Sequence, residues 1–286
     1  MEIKHPAIRY HGGKFRLASW VIKHFPQHTH YVEPFGGAAS VLLRKERSYA
    51  EIYNDLDDDV VNFFRVIRDE DTRQQLIERM LLTPYSRTEF LCSYEPIDDV
   101  IEKARRLVVR ATMGFGSAGA TKGTTGFRLD TKRSSATAQH LWARMPDNIA
   151  AVGQRFEGVL VENRDAILCM EDHDAVTTLH YIDPPYLPEK RILTSKYYRH
   201  EMDNQQHENL LMAINKLQGM VVISGYDSDM YNDCLIGWRK ETKQSAAAGK
   251  KGSVKRQECL WISPNIEFIK EIKHHEINQL NKANQS

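Results

Sequence analysis

The sequence predicts an α/β protein in which the two ends of the chain form a doubly wound sheet, interrupted by a helical insert. Short apolar runs such as residues 178–182 end directly in polar residues, as buried strands do at the edge of a sheet where ligands bind. Between residues 57 and 113, by contrast, apolar residues recur every three or four positions, which is the period of amphipathic helices. This change of period predicts that helices are inserted between strands of one sheet.

The N-terminal segment combines a turn with an amphipathic helix. Residues 9–14 read Arg-Tyr-His-Gly-Gly-Lys, and three apolar side chains within residues 17–24 fall on one helix face. Tyr10 adds an aromatic ring to the turn. Lys14 is placed either to meet an anionic group of a ligand or to lie in solvent, and the residue taken alone favours solvent.

A glycine turn follows the next predicted element, a short strand at residues 31–32. The turn reads Glu33-Pro34-Phe35-Gly36-Gly37, and a helix is expected to begin there and to run through residues 41–43. Small residues let a ligand approach the backbone, and a helix N-terminus favours negative charge. Asp55 follows the next strand, residues 50–53, about 20 positions later, where an acid usually holds the hydroxyl pair of a ribose. Together the two features predict a nucleoside cofactor.

The insert is predicted to span residues 57–155, which leaves residues 1–56 and 156–286 for the sheet domain. Its helices are predicted at residues 57–68, 72–82, 86–93 and 98–113. A glycine-rich, basic stretch follows them, and we expect a hairpin loop near residues 114–130. An unstructured surface loop is the competing interpretation of that stretch.

The motif Asp183-Pro184-Pro185-Tyr186 directly follows the apolar run 178–182. An adenine amino group is a poor nucleophile because its lone pair is delocalised into the ring. If the Asp183 carboxylate and the Pro184 carbonyl accept its two hydrogens, the lone pair is aimed at an electrophile. Proline offers no competing N–H, and Tyr186 can stack on a base rotated out of its duplex. Together with the nucleoside site, this motif indicates methylation of an exocyclic amine by S-adenosylmethionine, although a strand ending in a capped Pro-Pro turn explains the four residues equally well.

In their order along the chain, these motifs resemble the Dam-type (D12 class) adenine-N6 DNA methyltransferases. Residues 196–202, 223–226 and 258–261 also resemble bacteriophage and prophage members, so the resemblance covers nearly the whole chain. It implies a doubly wound, Rossmann-like methyltransferase sheet with an inserted helical target-recognition domain. It further implies methyl transfer from S-adenosylmethionine to adenine N6 in double-stranded DNA, by direct attack of a flipped-out base. A role in restriction-modification and a phage origin are expected with it.

The resemblance assigns site residues. Those expected around the cofactor are Tyr10, Lys14, Glu33, Pro34, Phe35, Gly36, Gly37, Asp55, Asp165 and Asp183. The expected catalytic residues are Asp183, Pro184, Pro185 and Tyr186. Those expected to bind DNA are Lys122, Phe127, Arg128, Lys132, Arg133, Lys196 and Tyr198. The chain departs from many relatives at Tyr10, where they have Trp, and at Ala39, where they have Gly and where Ala is expected to tighten the turn.

The distribution of charge supports a nucleic-acid partner better than the net charge of +1 does. Residues 103–133 carry eight bases and one acid, and residues 239–256 carry seven bases and one acid. Phosphate contacts made by such patches would weaken steeply with salt. Charge runs that only keep a surface solvated are the alternative. Residues 187–200 are expected to form a lid over the flipped base, and residues 245–252 to be disordered without DNA.

Several other classes of protein and of mechanism are disfavoured. The four cysteines are widely spaced and none follows a proline as the nucleophile of cytosine-carbon methylation does, so direct transfer is preferred. No histidine pattern predicts a metal site. Neither a run of about 20 apolar residues nor a secretory leader occurs, so we expect a protein of the bacterial cytoplasm, a monomer or weak dimer.

Three rival functions remain open at this point. A cytosine-N4 methyltransferase would use the same amine chemistry but more often has Ser in place of Asp183. An RNA or protein-glutamine methyltransferase would be expected to have Asn there. A DNA-binding regulator that keeps the fold without catalysis is less favoured, because both the motif at 183–186 and Asp55 are intact.

Overall fold

The structure is a computed structural model that describes residues 3–116, 119–121, 124–129, 137–187, 198–249 and 252–266. Its strands are β1 His30–Glu33, β2 Ala50–Asn54, β3 Leu160–Glu162, β4 Thr178–Ile182, β5 Met220–Tyr226, β6 Arg239–Gly249 and β7 Gly252–Ile262. Its helices are α1 Ala18–Ile22, α2 Asp58–Arg68, α3 Glu70–Leu81, α4 Arg87–Cys92, α5 Val100–Met113, α6 Ala138–Ala143, α7 Met145–Phe156, α8 Ala166–Asp172, α9 Asn204–Ile214 and α10 Asp229–Cys234.

The strands form one seven-stranded sheet in the described part of the chain, in the order β3-β2-β1-β4-β5-β7-β6. The first five strands of this order run parallel, and β7 is antiparallel to both of its neighbours. Val32 of β1 lies opposite Ile52 on one side and His180 on the other. All five residues of β4 are buried, as expected for a parallel strand covered on both faces. The prediction of a doubly wound α/β fold is confirmed.

The strand order reverses between β1 and β4, and this reversal positions the site. The chain leaves β1 toward β2 and β3, whereas it leaves β4 toward β5 on the opposite side. The loops after β1 and β4 therefore diverge and open a crevice at the carboxyl edge of the sheet, which is where open α/β sheets bind ligands. The glycine turn follows β1, and Asp183 follows β4.

Helices α2 to α7 lie between β2 and β3. The periodicity predicts α2 to α5, whereas α6 and α7 were not among the predicted helices. Aspartate and serine side chains cap the first turns of α2 to α5. The Asp57 carboxylate accepts the Asp59 N–H of α2, and Asp99 accepts two N–H groups of α5. The predicted start of α3 is wrong by two residues, because Asp69 caps that helix.

The helical region shares its hydrophobic core with the sheet. The Tyr53 ring of β2 lies 4.7 Å from Phe64 of α2, and Phe64 stacks at 4.3 Å on Phe156 of α7. The helices therefore pack directly on β2. The division into domains at residues 57 and 155 stays a prediction.

Two local predictions are wrong. Residues 41–43 form successive turns instead of a regular helix, because the Leu42 N–H donates to the Glu33 carboxylate and leaves the helical ladder. Residues 245–249 and 252, expected to be disordered, lie in β6 and β7, where the two strands pair. Residues 250 and 251 of the same stretch lie outside the described residues. Of the predicted lid, residues 188–197 lie outside the described residues.

Candidate active site

A cavity of about 400 Å³ lies at the crevice between β1 and β4. Its lining includes the glycine turn, the N-terminal turn, Asp183 and a segment that we call the covering segment, residues 198–202. The expected cofactor residues Tyr10, Lys14, Glu33, Pro34, Phe35, Gly36, Gly37, Asp55 and Asp183 all line it. Residues from four separate parts of the sequence therefore meet in one cavity.

The glycine turn leaves no room for side chains. A Cβ atom on Gly36 would lie 2.1 Å from the Tyr53 ring, and Gly37 has a φ of 46°. The Gly37 N–H donates to Asp55 at 2.8 Å, and the Tyr53 hydroxyl donates to the Gly37 carbonyl at 2.8 Å. Ala39 also has a positive φ, of 52°, which accounts for the glycine of many relatives at this position. Backbone therefore forms this wall of the cavity.

Asp55 binds the backbone on both of its carboxylate oxygens. Oδ2 accepts the Gly37 N–H, and Oδ1 accepts the Asp57 N–H at 2.9 Å. Burial raises the pKa of Asp55 to about 6, although these two N–H groups oppose the shift. Each oxygen keeps a second lone pair, so the carboxylate can still accept a hydroxyl from a ligand.

Glu33 is a buried acid on the wall of the cavity. Its Oε2 accepts the Tyr31 hydroxyl at 2.7 Å and the Leu42 N–H at 2.9 Å. Burial raises the pKa of Glu33 to about 8 in spite of these hydrogen bonds, and the nearby charge of Asp183 adds to the rise. The side chain is therefore protonated at neutral pH, and a cation brought into the cavity would favour its ionisation.

Lys14 lies against the Asp183 carboxylate. Its Nζ is 2.9 Å from Asp183 Oδ1, donates to the Gly12 carbonyl at 3.1 Å and sits 4.5 Å from the centre of the Tyr186 ring. Burial alone would lower the pKa of Lys14, but the Asp183 carboxylate raises it above the ordinary value. Lys14 is only 7% exposed, so the alternative of a solvent-exposed side chain, favoured by the residue taken alone, is wrong, and its contact with the cofactor stays a prediction.

Ser224 holds the same oxygen of Asp183. Its hydroxyl donates to Asp183 Oδ1 at 2.7 Å, and the residue is buried near the carboxyl end of β5, beside β4. Among the described residues, no hydrogen bond or ion pair engages Asp183 Oδ2. Lys14 and Ser224 thus fix one oxygen and leave the other available. The sequence analysis did not single out Ser224, although it follows an apolar run just as Asp183 does.

Tyr186 lies beside the main cavity and does not line it. Its hydroxyl donates to Glu258 at 2.9 Å, and its ring meets that of Tyr226 edge-on with centroids 4.5 Å apart. It borders a much smaller cavity together with Tyr226 and Tyr231. Burial, and then the charge of Asp183, raise the pKa of the Tyr186 hydroxyl, which therefore stays a neutral donor. Glu258 on β7 is a second contact that the sequence analysis missed.

Besides Tyr186, two residues of the predicted motifs, Pro184 and Asp165, lie outside the cavity lining. Pro184 is buried, whereas Pro185 lines the cavity. The exposed Asp165 carboxylate accepts the N–H groups of Ile167 and Leu168 and caps α8. Its neighbour Ala166, rather than Asp165, lines the cavity. The structure thus gives Asp165 a capping role, and its cofactor contact stays a prediction.

The covering segment links the N-terminal turn to the helical region. The Tyr198 ring lies 5.3 Å from that of His11, and a Cβ atom on Gly12 would meet the Tyr198 hydroxyl at 2.1 Å. Arg199 pairs with Asp57 at 3.2 Å and also with Asp59 of α2. These contacts hold residues 198–202 across the cavity, and the sequence analysis identified Tyr198 but not Arg199.

The expected DNA-binding residues are only partly within the structure. Lys122, Lys132, Arg133 and Lys196 lie outside the described residues. The predicted hairpin is present as an antiparallel bridge between Gly114 and Phe127. Phe127 packs against Tyr85 and Phe90 at ring distances of 5.3 and 5.7 Å, which favours an anchoring role over a role as a DNA wedge.

The exposed aromatic residue of the hairpin is Phe115, whose side chain is 73% exposed. Its N–H donates to the Gly126 carbonyl, and the Arg128 N–H donates to the Met113 carbonyl. The Tyr85 hydroxyl donates to the Arg128 carbonyl. The backbone of Arg128 is therefore fixed to the helical region.

In the described ranges no group of three or more His, Cys, Asp or Glu residues has the geometry of a metal site. No helix in the same ranges is long and apolar enough to span a bilayer. The candidate site for catalysis is therefore the cavity, which combines a glycine turn, buried acids and the Asp183 carboxylate close to the Tyr186 ring.

This geometry agrees with the family that most of the sequence matches. Over residues 10–246 the chain matches the D12 class N6 adenine-specific DNA methyltransferase family, and it therefore belongs to that family. Its reaction is the transfer of a methyl group to adenine N6 in DNA, and methyltransferases in general take that group from S-adenosylmethionine. The comparison with curated proteins found no match. The predictions of family, reaction and enzyme class are confirmed, whereas the phage origin and the role in restriction-modification stay predictions.

Proposed function

We propose that the cavity binds S-adenosylmethionine and that Asp183 holds the N6 amino group of a flipped-out adenine at its edge. The observation that carries the proposal is that the glycine turn at Gly36 and Gly37 and the Asp183 carboxylate line one cavity. A methyl donor held by the turn and an amine held by the acid would then lie within reach of each other, as direct transfer requires.

The residues of the cavity fit such a cofactor. The bare backbone at Gly36 and Gly37 admits a ligand where any side chain would clash. Asp55 would accept the ribose hydroxyls through the lone pairs that Gly37 and Asp57 leave free. Tyr10 lies against the turn and offers a ring for the cofactor to stack on. Glu33 would ionise beside the positive charge of the bound cofactor, because a nearby cation favours a carboxylate.

The protein groups act on the amine through hydrogen bonds. Asp183 Oδ2 and the Pro184 carbonyl would accept the two N6 hydrogens and turn the nitrogen lone pair toward the cavity. Lys14 and Ser224 keep Asp183 oriented by holding Oδ1. When bound, S-adenosylmethionine supplies an electrophilic methyl group. Asp183 need not be a strong base, since the alkylated nitrogen loses its proton readily.

Tyr186 would stack on the face of the flipped adenine. Its ring is held in advance by the Glu258 hydrogen bond and by the Tyr226 ring. Its place beside the main cavity leaves room for a base next to the cofactor. An immobilised ring loses little conformational entropy when a base stacks on it, which strengthens the contact.

The DNA is proposed to be double-stranded, because a platform that receives a flipped base is needed for a duplex substrate. Arg128 and the exposed Phe115 on the hairpin are the described residues placed to touch it there. We expect a monomer or weak dimer acting in the bacterial cytoplasm, where such DNA is found. This expectation rests on the substrate alone.

Calorimetric titration with S-adenosylmethionine tests the cofactor site. In Asp55→Asn, the amide NH2 must oppose either the Gly37 N–H or the Asp57 N–H, so we expect affinity to fall about tenfold or more. The matched control is Asp58→Asn, an exposed acid on α2 outside the cavity lining, whose affinity should equal that of the wild type. Equal affinity of Asp55→Asn and the wild type would overturn the proposed cofactor site.

A further inference from the structure

We propose that the outer half of the β6–β7 hairpin binds DNA phosphates beside the active site. The outer half consists of residues 244–249 of β6 and residues 252–257 of β7. The adjacent Lys243 belongs to the same surface. This inference rests on the DNA methyltransferase activity and adds a second DNA contact to the hairpin near residues 114–130.

The strand register places this half of the hairpin at the catalytic edge of the sheet. Strand β5 pairs with β7 from Val222 opposite Ile262 to Tyr226 opposite Glu258. The pairing of β6 with β7 continues further, to Gly249 opposite Gly252. Because β5 ends at Tyr226, the remaining residues project past its carboxyl end. Asp183 follows β4 at this same edge, since β4 and β5 are parallel.

One face of the hairpin carries basic side chains toward Tyr186. Directly opposed residues of an antiparallel pair share a face, so Lys243 shares one with Glu258, and Ser245 with Arg256. Since side chains alternate along β7, Arg256 and Glu258 also lie on one face. Glu258 accepts the Tyr186 hydroxyl. Lys243 and Arg256 therefore lie on the face that contacts the catalytic loop.

Arg256 is one aromatic ring away from Tyr186. Its guanidinium lies 5.0 Å from the centre of the Tyr226 ring and also donates to the Tyr226 hydroxyl. The Tyr226 ring in turn contacts Tyr186 edge-on at 4.5 Å. A nucleotide that enters beside Tyr186 carries its own phosphates with it. The basic side chains of Arg256 and Lys243, which lie near this ring, are placed to meet those phosphates.

Among the described residues, no ion pair neutralises Lys243 or Arg256. Lys240, on the opposite face, pairs with Asp227, and Arg239 lies 3.9 Å from Glu241. No carboxylate of the described residues lies within 4 Å of the Lys243 or Arg256 nitrogens. Lys243 is exposed, and its ammonium lies 5.8 Å from the centre of the Trp20 ring.

Electrostatics favours phosphate as the ligand of this surface. Its described bases are Lys243 and Arg256, and Glu258 beside them accepts the Tyr186 hydroxyl. Lys243 supplies a mobile point charge and Arg256 a planar donor, the two usual phosphate contacts in proteins. Neither side chain is buried deeply enough to require an internal partner. The contact would add affinity without selecting a base sequence.

The test is the salt dependence of binding to a 20-base-pair duplex. Each phosphate contact that is lost lowers the slope of log affinity against log salt by about 0.9. We therefore expect Lys243→Gln and Arg256→Gln each to lower the slope of the wild type by about this amount, equally on duplexes of different sequence. Lys216→Gln is the matched control, since Lys216 is exposed and precedes the amino end of β5 at the opposite edge. It should leave the slope unchanged.

The outcomes separate this proposal from the one on which it rests. Wild-type slopes in both hairpin variants, with a wild type that binds and methylates DNA, overturn the phosphate-binding surface alone. A wild type that neither binds nor methylates DNA overturns the proposed function as well. If Arg256→Gln weakens binding equally at every salt concentration, it acts by displacing Tyr226 and Tyr186, which overturns its phosphate contact. The slope of Lys243→Gln then decides whether the surface exists.

Discussion

The Lys14 ammonium lies 2.9 Å from Asp183 Oδ1, and the two side chains are 8% and 17% exposed. This pair joins the N-terminal turn to the end of β4 across the cavity, although the two segments are far apart in the sequence. Because Ser224 donates to the same oxygen, Asp183 is held by a fixed pair of donors before any base arrives. Such preorganisation is the main means by which hydrogen-bonding groups accelerate a reaction.

A double-mutant cycle measures how strongly Lys14 and Asp183 are coupled. Urea unfolding of Lys14→Met, Asp183→Ala and the double variant should give a coupling free energy of about 1 to 3 kcal/mol, because both groups are shielded from water. The control is Arg79 with Asp99, a pair whose side chains are 35% and 45% exposed. Exposed pairs couple by about 0.2 to 1 kcal/mol. Equal coupling in the two pairs would show that Lys14 does not hold Asp183.

Ser224→Ala tests whether the orientation of Asp183 matters for the rate. Loss of the hydroxyl frees Oδ1 on one side, and we expect single-turnover methylation to slow about 10- to 100-fold with unchanged affinity for S-adenosylmethionine. Ser224→Thr, which keeps a hydroxyl, should recover most of the rate. A rate for Ser224→Ala equal to that of the wild type would remove Ser224 from the mechanism.

Ser263→Ala is the control for that experiment. Ser263 is about as buried as Ser224, but it lies at the amino end of β5, where its hydroxyl accepts the Val221 N–H. Its removal should lower the free energy of unfolding by about 1 kcal/mol and leave the methylation rate unchanged. A slowed Ser263→Ala would mean that general loosening, and not the contact with Asp183, explains the effect at Ser224.

The sheet and the main motifs could be predicted because their signals are local. An apolar run followed by Asp183, or a strand followed by Gly36 and Gly37, is contained in about ten residues. Helix starts were predicted to within about two residues for the same reason, since a capping side chain lies next to the turn it caps. The turns at residues 41–43 were mispredicted because the competing acceptor, Glu33, lies nine positions away.

The contacts that orient the catalytic motif depend on strand neighbours, which no local pattern contains. Ser224 reaches Asp183 only because β5 pairs with β4, and Glu258 reaches Tyr186 only because β7 pairs with β5. Residues 223–226 and 258–261, which contain Ser224 and Glu258, nevertheless belong to the segments that resemble members of the family. The ordered ends of β6 and β7 were missed because composition indicates side-chain burial but not backbone pairing.

The pKa of Glu33 predicts how stability depends on pH without a ligand. Burial raises this pKa from the ordinary 4.5 to about 8, so between these values the native state holds a proton that the unfolded chain has lost. The bound proton of Glu33 therefore contributes to the free energy of unfolding. This contribution is fully present below pH 4.5 and is lost as the pH rises through 8. The loss is about 1.4 kcal/mol per pH unit at most for one proton.

Glu33→Gln isolates this effect. The amide oxygen can still accept the Tyr31 and Leu42 donors, but the side chain no longer titrates. We expect the free energy of unfolding, measured in urea from pH 5.5 to 8, to fall less steeply in the variant than in the wild type. Parallel curves for the two proteins would contradict a protonated Glu33 in the cavity.

Truncation of Phe127 and of Phe115, both on the hairpin near residues 114–130, should change the free energy of unfolding by different amounts. Phe127 packs on Tyr85 and Phe90, and Arg87 lies 4.8 Å over its ring, so Phe127→Ala should lower the free energy of unfolding by about 2 kcal/mol. The exposed Phe115 should tolerate the same change within about 0.5 kcal/mol. Urea unfolding of the two variants compares them directly, and equal losses would contradict the anchoring role of Phe127.

The most direct test of the account is single-turnover transfer of a labelled methyl group to duplex DNA by Asp183→Asn. The amide keeps an oxygen for Lys14 and Ser224 but turns an N–H group toward the adenine amine, where Oδ2 would accept. We expect the rate to fall at least about 100-fold while the affinity for S-adenosylmethionine stays within a few-fold of the wild type. Methylation at the wild-type rate, with N6-methyladenine as the product, would show that Asp183 does not orient the amine.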